Sequence, residues 1–178
     1  MIINESKFFR DTKSHEGLKF ILENFSDQLK STDNPIFISH KHGEAQYVYR
    51  LKELLKKYGF TGYVDWEDDS MPKETSGETA MKIKKKIIEA HKFILIATNA
   101  AIESKWCNWE IGFADSHKYL NHIALLALKP DNNNYKGEEY LQIYPSIQTS
   151  SNVNENADYY VIYPDGTKKS ILEWLKLK

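Results

Sequence analysis

Only one cysteine, Cys107, occurs among the 178 residues. It has no partner within the chain, so an internal disulfide is excluded, which suits a reducing compartment. No apolar run approaches the roughly 20 residues needed to span a bilayer. The opening Met1-Ile2-Ile3-Asn4-Glu5-Ser6-Lys7 lacks the basic-then-apolar shape of a signal peptide. A cytoplasmic location without a membrane partner is therefore expected. Neither sign of charge dominates: 24 Lys and Arg against 25 Asp and Glu leave a net charge of −1, so no global field draws the chain to nucleic acid. The eight glycines form no phosphate loop of the P-loop or dinucleotide type, so nothing points to NAD as a redox cofactor. What is present, 41% apolar and 28% charged residues, fits one ordinary globular domain of this length.

Apolar spacing divides the chain. Leu18, Ile21, Leu22, Phe25 and Leu29 fall on one helical face, predicting a helical extension over 1–33 that packs on a main domain over 34–178. Ser31-Thr32-Asp33-Asn34-Pro35 ends it. Ile36-Phe37-Ile38-Ser39 reads as a short strand entering the polar loop His40-Lys41-His42-Gly43. A helix carrying Val48, Leu51, Leu55 and Tyr58 follows and stops at Gly59. Gly62 to Trp66 reads as a second strand, Glu67 to Gly77 as a long polar loop, and Ala80, Ile83, Ile87 and Ala90 as the inner face of a further helix. Phe93 to Ala97 is apolar without alternation, as in a strand covered on both faces. A helix around Glu110 and a strand over 123–128 come next, then a polar stretch over 131–158 expected to be a long loop or insertion. Tyr159 to Tyr163 reads as a last strand, with a closing helix around Ile171, Leu172 and Leu175. Strands alternating with helices predict a three-layer α/β fold, a five-stranded parallel sheet with helices on both faces. Ligands in such sheets bind beyond the carboxyl ends of the strands at the topological switch point. Those ends lead into Ser39 to Gly43 and Asn99 to Glu103.

The second of those loops delivers the segment Ser104-Lys105-Trp106-Cys107-Asn108-Trp109-Glu110-Ile111-Gly112-Phe113-Ala114-Asp115. At 100° per residue it has an apolar arc of Trp106, Cys107, Trp109, Ile111, Phe113 and Ala114. Glu110 falls near the middle of that arc. A carboxylate there is either paired or working, because an unpaired buried charge is expensive. The competing reading is a structural carboxylate paired with His117 or a lysine. Trp109 and Phe113 read as core, and Cys107 as a small buried apolar residue with no basic group placed to activate it. His40-Lys41-His42 has no cysteine or acidic partner at ligand spacing, so no metal is expected. Lys82, Lys84, Lys85 and Lys86 read as a solvated helix face, and no interleaved aromatics suggest nucleic acid.

Ile36-Phe37-Ile38-Ser39, the long loop from Asp65 to Gly77, and Ser104-Lys105-Trp106-Cys107-Asn108-Trp109-Glu110 together resemble Toll/interleukin-1 receptor (TIR) domains, over residues 35–130 above all. With Asp65-Trp66, Ser70-Met71-Pro72 and Glu78-Thr79-Ala80 the set looks most like bacterial stand-alone TIR proteins of Thoeris-like antiphage systems. The resemblance implies a flavodoxin-like TIR fold. It implies cleavage of the nicotinamide–ribose bond of NAD+, with NAD+ as substrate and no cofactor, and an ADP-ribose-derived product that a downstream effector senses. Glu110 takes the position of the catalytic glutamate, four residues after Trp106. Trp106, Ser39, His40, Lys41 and Asp65 become candidate substrate-binding residues, with Lys41 suited to a phosphate. Self-association through TIR surfaces is implied as well. The sequence departs from many members in having His40-Lys41-His42 after the first strand and Pro72-Lys73 in place of Pro-Gly in the long loop. Two alternatives remain open: a non-catalytic TIR interaction module, and another N-glycosidic enzyme such as a nucleoside deoxyribosyltransferase.

Overall fold

The computed structural model describes residues 2–12, 35–72, 74–132, 134–137, 139–150 and 158–178. The helix expected around Leu18 to Leu29 lies outside the described residues. In chain order the elements are β1 (Ile3–Asn4), α1 (Glu5–Asp11), β2 (Ile36–Ser39), α2 (Ala45–Lys57), β3 (Gly62–Tyr63), α3 (Gly77–Glu89) and β4 (Lys92–Ala97). Then come α4 (Asn99–Ile102), α5 (Lys105–His117), β5 (Ile123–Lys129), β6 (Ser146–Thr149), β7 (Tyr159–Ile162), β8 (Lys168–Ser170) and α6 (Ile171–Lys176). The strands join in one sheet in the order β3-β2-β4-β5-β6-β7-β8, with β1 pairing to β5 as well.

Strands β3, β2, β4, β5 and β6 are mutually parallel, which is the expected five-stranded parallel core. Its fifth member differs from expectation. It is β6, within the stretch read as a loop, while Tyr159–Ile162 runs antiparallel beside it and β8 extends the antiparallel edge. Ser146-Ile147-Gln148-Thr149 offers one buried apolar side chain, Ile147, so it gives no hydrophobic run to read. The second strand is also shorter than expected: only Gly62 and Tyr63 pair, and Asp65–Glu67 forms a 3-10 turn. Gly62 faces the end of the Ile38 side chain so closely that an added Cβ would press on it, which favours glycine at this edge. The described part of the N-terminal segment is built into the domain. Ile3 and Asn4 pair with Leu128 and Lys129, and Phe8 is fully buried in the main core.

Each central strand is apolar on both faces because each face has its own helices. Ile36, Ile38, Ile94, Ile96, Ala124, Leu126 and Leu128 point to the layer of α2 and α6, with Val48, Leu51, Leu55, Trp174 and Leu175. Phe37, Phe93, Leu95, Ala97, Ile123 and Leu125 point to the layer of α3, α4 and α5, with Ile83, Ile87, Ala101, Cys107, Ile111 and Ala114. Gly59 ends α2 at a φ of 80°. Phe60 N–H reaches the Leu55 carbonyl and Gly59 N–H the Lys56 carbonyl, a Schellman motif that a residue with a Cβ would adopt only with strain.

Candidate active site

Strand β2 continues into β3 on one side of the sheet and β4 into β5 on the other. The chain therefore diverges between β2 and β4, and a crevice opens beyond their carboxyl ends. Two capping interactions shape its rim. Thr98 caps α4 by accepting from Ala101 N–H at 3.0 Å. Its hydroxyl also lies 2.9 Å from both oxygens of Glu44, tying the loop after β4 to the start of α2. Asn108 Nδ2 donates to the Ile102 carbonyl at 2.7 Å, which fixes the elbow between α4 and α5.

This elbow aims the buried stripe of α5, Cys107, Glu110, Ile111 and Ala114, at the sheet. The spacing is i, i+3, i+4, i+7, and Glu110 is its one charged member. Glu110 is 7% exposed. Its Oε2 accepts from Ser39 Oγ at 2.5 Å, so its partner is the last residue of β2. His117 instead stacks on Phe113, ring centres 4.1 Å apart. Burial raises the Glu110 carboxyl to about 8; the Ser39 hydrogen bond pulls it back and the nearby Asp65 charge adds to the rise. A strongly shifted acid in a cleft is a mark of a functional site, although structural networks shift such groups too.

The cleft over Glu110 has a volume of about 170 Å³, and His40, Lys41, His42, Asp65, Thr75, Thr79, Ser104 and Trp106 contribute to its wall. Five of the six candidate residues, His40, Lys41, Asp65, Trp106 and Glu110, thus share one cavity. Ser39, expected to touch substrate, does not line it. It is 1% exposed and reaches the cleft only through its bond to Glu110, because the last inward position of a central strand lies under the helix layer. The His40 imidazole sits edge-on to the Trp66 ring at 4.2 Å and donates from Nδ1 to the Ile38 carbonyl at 3.2 Å. Burial holds it below its ordinary value, against the opposing effects of that carbonyl and of Asp65. Asp65 Oδ1 accepts from Trp66 N–H at 3.0 Å, which fixes the 3-10 turn. Trp106 is 40% exposed and stands at the cleft mouth, perpendicular to Trp109 at 5.2 Å. Trp109 and Phe113 are half-buried, packed at the edge of the core. Cys107 is buried, and desolvation raises its thiol to about 11 against a hydrogen bond from Ser104, so it is not a nucleophile at neutral pH.

Thr75, Thr79 and Ser104 escaped sequence reasoning. A signal for Thr79 existed in Ser76-x-x-Thr79, a capping pattern that starts α3 at the cleft: both reciprocal bonds form, and the Thr79 hydroxyl also donates to the Glu74 carbonyl at 3.1 Å. The described residues of the long loop are pinned rather than loose. Asp68 accepts from Tyr63 OH at 2.8 Å and from Ser70 N–H at 3.0 Å, and pairs with Lys86 at 3.1 Å. Burial opposes ionisation of Asp68, yet the hydrogen bonds from Ser70 and Tyr63 hold its carboxyl well below the usual range. Lys82 donates to the Ser70 carbonyl. The basic run of α3, expected to be a solvated face, therefore sends Lys82 and Lys86 to the loop and holds it against the helix. Among the described residues no cluster of three His, Cys, Asp or Glu is placed to hold a metal ion. No described helix is long and apolar enough to cross a membrane.

The arrangement supplies a buried carboxyl group, an aromatic plane at the cleft mouth, and a lysine and two histidines on the rim. Such a site suits a reaction that develops positive charge next to the carboxylate. Comparison with known proteins agrees in kind. A family model described as "TIR domain" matches residues 36–159. A Bacillus cereus (strain MSX-D12) protein named "Probable 3' cyclic ADP-D-ribose synthase ThsB'" is 26% identical over 147 residues, covering 81% of this chain and 76% of its own length. A Cytobacillus dafuensis protein named "Putative cyclic ADP-D-ribose synthase TIR2" is 26% identical over 82 residues, which span 44% of this chain and 22% of that protein.

Proposed function

The chain belongs to the TIR domain family, and on that premise we propose that it cleaves NAD+ at the nicotinamide–ribose bond, with Glu110 as the catalytic carboxylate. The observation that carries this reading is Glu110 itself, a buried carboxyl bonded to Ser39 under a cleft walled by Trp106. The two relatives named as cyclic ADP-D-ribose synthases support a cyclase-type outcome in Thoeris-like antiphage defence. An adaptor surface has no use for an acid held at such a cost inside a helix face, which sets the scaffold reading second.

The nicotinamide ring of NAD+ is cationic. Its entry beside Glu110 favours loss of the Glu110 proton, since an opposite charge lowers a carboxyl pKa. The C1′–N bond then breaks heterolytically. Its electron pair leaves with nicotinamide, which departs neutral, and the ribose becomes oxocarbenium-like. The Glu110 carboxylate stabilises that charge, as carboxylates do in glycoside cleavage. Capture of C1′ by water with loss of a proton gives ADP-ribose; capture by a nucleophilic atom of the same molecule gives a cyclic ADP-ribose. Trp106 stacks on the departing ring. His40, Lys41 and Asp65 position the ribose and phosphate from the opposite wall. Ser39 is a positioning residue that acts through Glu110.

The direct test incubates purified protein at high concentration with NAD+ and weighs the products by chromatography and mass spectrometry. Nicotinamide with a partner of the mass of ADP-ribose less one water is expected. Absence of nicotinamide under concentrated conditions and with antiphage triggers supplied moves the interaction-module reading to first place. Free nucleosides run in parallel test the deoxyribosyltransferase alternative, and no base exchange is expected.

Because the free carboxyl lies near 8, kcat/KM for NAD+ is expected to rise with pH through the neutral range and level off above about 8. Ser39→Ala removes a hydrogen bond to the charged form, worth roughly 1.5–3 kcal/mol. The rising limb is therefore expected to move up by about one to two pH units, costing tenfold or more at neutral pH and recovering in alkali. A uniform loss at every pH would reduce Ser39 to a packing role.

Self-association through TIR surfaces and a separate protein that senses the product complete the proposal. Specific activity is expected to fall on dilution below the assembly concentration, as read by turnover alongside light scattering. Constant specific activity of a demonstrated monomer contradicts the assembly part alone.

A further inference from the structure

Trp106 is a wall of two cavities. Behind it, between α3 and α5, a second and larger groove of about 540 Å³ is bounded by Gly77, Ala80, Met81, Lys84, Lys105 and Trp109. The Glu110 cleft, at about 170 Å³, falls below the ~300 Å³ at which pockets begin to enclose a drug-sized ligand. It admits one end of a dinucleotide and not the whole. The neighbouring groove has the chemistry the remainder requires. Its walls carry two ammonium groups, two indoles and a thioether, and no carboxylate.

Lys84 is distinctive within its run. Lys82 pairs with Glu78, Lys85 with Glu89 and Lys86 with Asp68. Lys84 instead holds its ammonium over two rings, 5.1 Å from the centre of Phe113 and 5.8 Å from that of Trp109. A cation seated on aromatic faces keeps its charge available to an incoming anion while its stem is ordered. Met81 is 73% exposed on the same rim, an adaptable apolar surface without a cover. Charge, aromatic surface and a wall shared with the Glu110 cleft, Trp106, converge on one occupant.

We propose that the groove between α3 and α5 is the subsite for the adenylate half of the dinucleotide, with Lys84 and Lys105 on the adenosine-side phosphate, Lys41 left to the nicotinamide-side one, and Trp109 and Met81 against the base. Trp106 then divides the substrate, nicotinamide on its cleft side and adenylate on its groove side. This deepens the NAD+-cleaving reading and rests on it for the identity of the substrate.

The test uses AMP and ADP-ribose as probes, titrated calorimetrically into the wild-type protein, Lys84→Glu and Lys85→Glu. The two variants make the same charge change on the same helix, so a general field acts on both and a subsite on one. Wild type and Lys85→Glu are expected to bind both probes alike, with Lys84→Glu at least tenfold weaker and its melting curve unchanged. In turnover, Lys84→Glu is expected to raise KM for NAD+ about tenfold with kcat within twofold, because uniform binding is lost. Failure of wild type to bind either probe at millimolar concentration overturns the subsite, as do equal effects of the two variants. So does a Lys84→Glu protein that changes its self-association and leaves probe binding intact, since the groove then receives a second copy. Lys84-dependent AMP binding without any NAD+ turnover retains the nucleotide groove and rejects the reading of Glu110, so the two failures are distinguishable.

Discussion

Glu110→Gln is expected to lower NAD+ turnover by at least 10³-fold in a protein that remains folded. Glutamine keeps the volume of glutamate and an acceptor oxygen for the Ser39 hydroxyl now 2.5 Å from Oε2, so the recess stays filled and its hydrogen bond stays satisfied. What is lost is the negative charge beside the forming ribosyl cation. Removing a single preorganised electrostatic stabiliser costs on the order of 10²–10³ in rate, and here the lost group carries a full charge on a side chain only 7% exposed. Nicotinamide release measured by chromatography, with circular dichroism beside it, decides the matter. A folded Glu110→Gln protein at wild-type rates removes Glu110 from the chemistry.

The same substitution is expected to stabilise the fold, increasingly so as the pH rises. Burial lifts the Glu110 carboxyl from its ordinary 4.5 to about 8. Between those values the folded chain keeps a proton that the unfolded chain has released, so stability falls as pH rises across that window. The full contribution is present below about 4.5 and is lost by about 8. Glutamine does not titrate and escapes this loss. At neutral pH the gain amounts to up to about 3 kcal/mol, or a rise in Tm of roughly 5–10 °C for a chain of this size. Thermal melts at pH 5 and pH 8 measure it: the two proteins should differ little at the lower pH and most at the higher. An equal gap at both would mean that Glu110 is not a desolvated acid. Together the two results describe a site that retains an unfavourable group because its reaction needs one, the usual trade between stability and activity.

Much of this site was legible before the fold. Helical periodicity alone put Glu110 inside an apolar arc, since a 3.6-residue repeat assigns faces without tertiary information. The alternation of strands and helices gave the parallel core and directed attention to the ends of the first and third strands of that core. Gly59 is a local signal with a local cause, and the Ser76-x-x-Thr79 pattern was an equally local signal that went unread. Other features were hidden because their causes are not local. Strand β6 has one buried apolar side chain and exists because β5 offers it an edge, the Leu125–Ser146 pairing, and β7 a second. Lys82 and Lys86 read as solvent-facing from their helix, and only the packing of the long loop supplies Ser70 and Asp68 as partners.

The sequence by itself determined which residues are candidates for the proposed chemistry: a carboxylate on an apolar helix face, a tryptophan one turn before it, and a polar loop after the first core strand. Those follow from covalent order and helix geometry. Only the tertiary structure decided how they are placed. It put Ser39 behind Glu110 instead of in the cleft, gave the carboxyl a partner 71 positions away in the chain, and made Trp106 the wall between two cavities. The pKa of Glu110 belongs to that second class, because desolvation is a property of the layers that close over a group and not of the group.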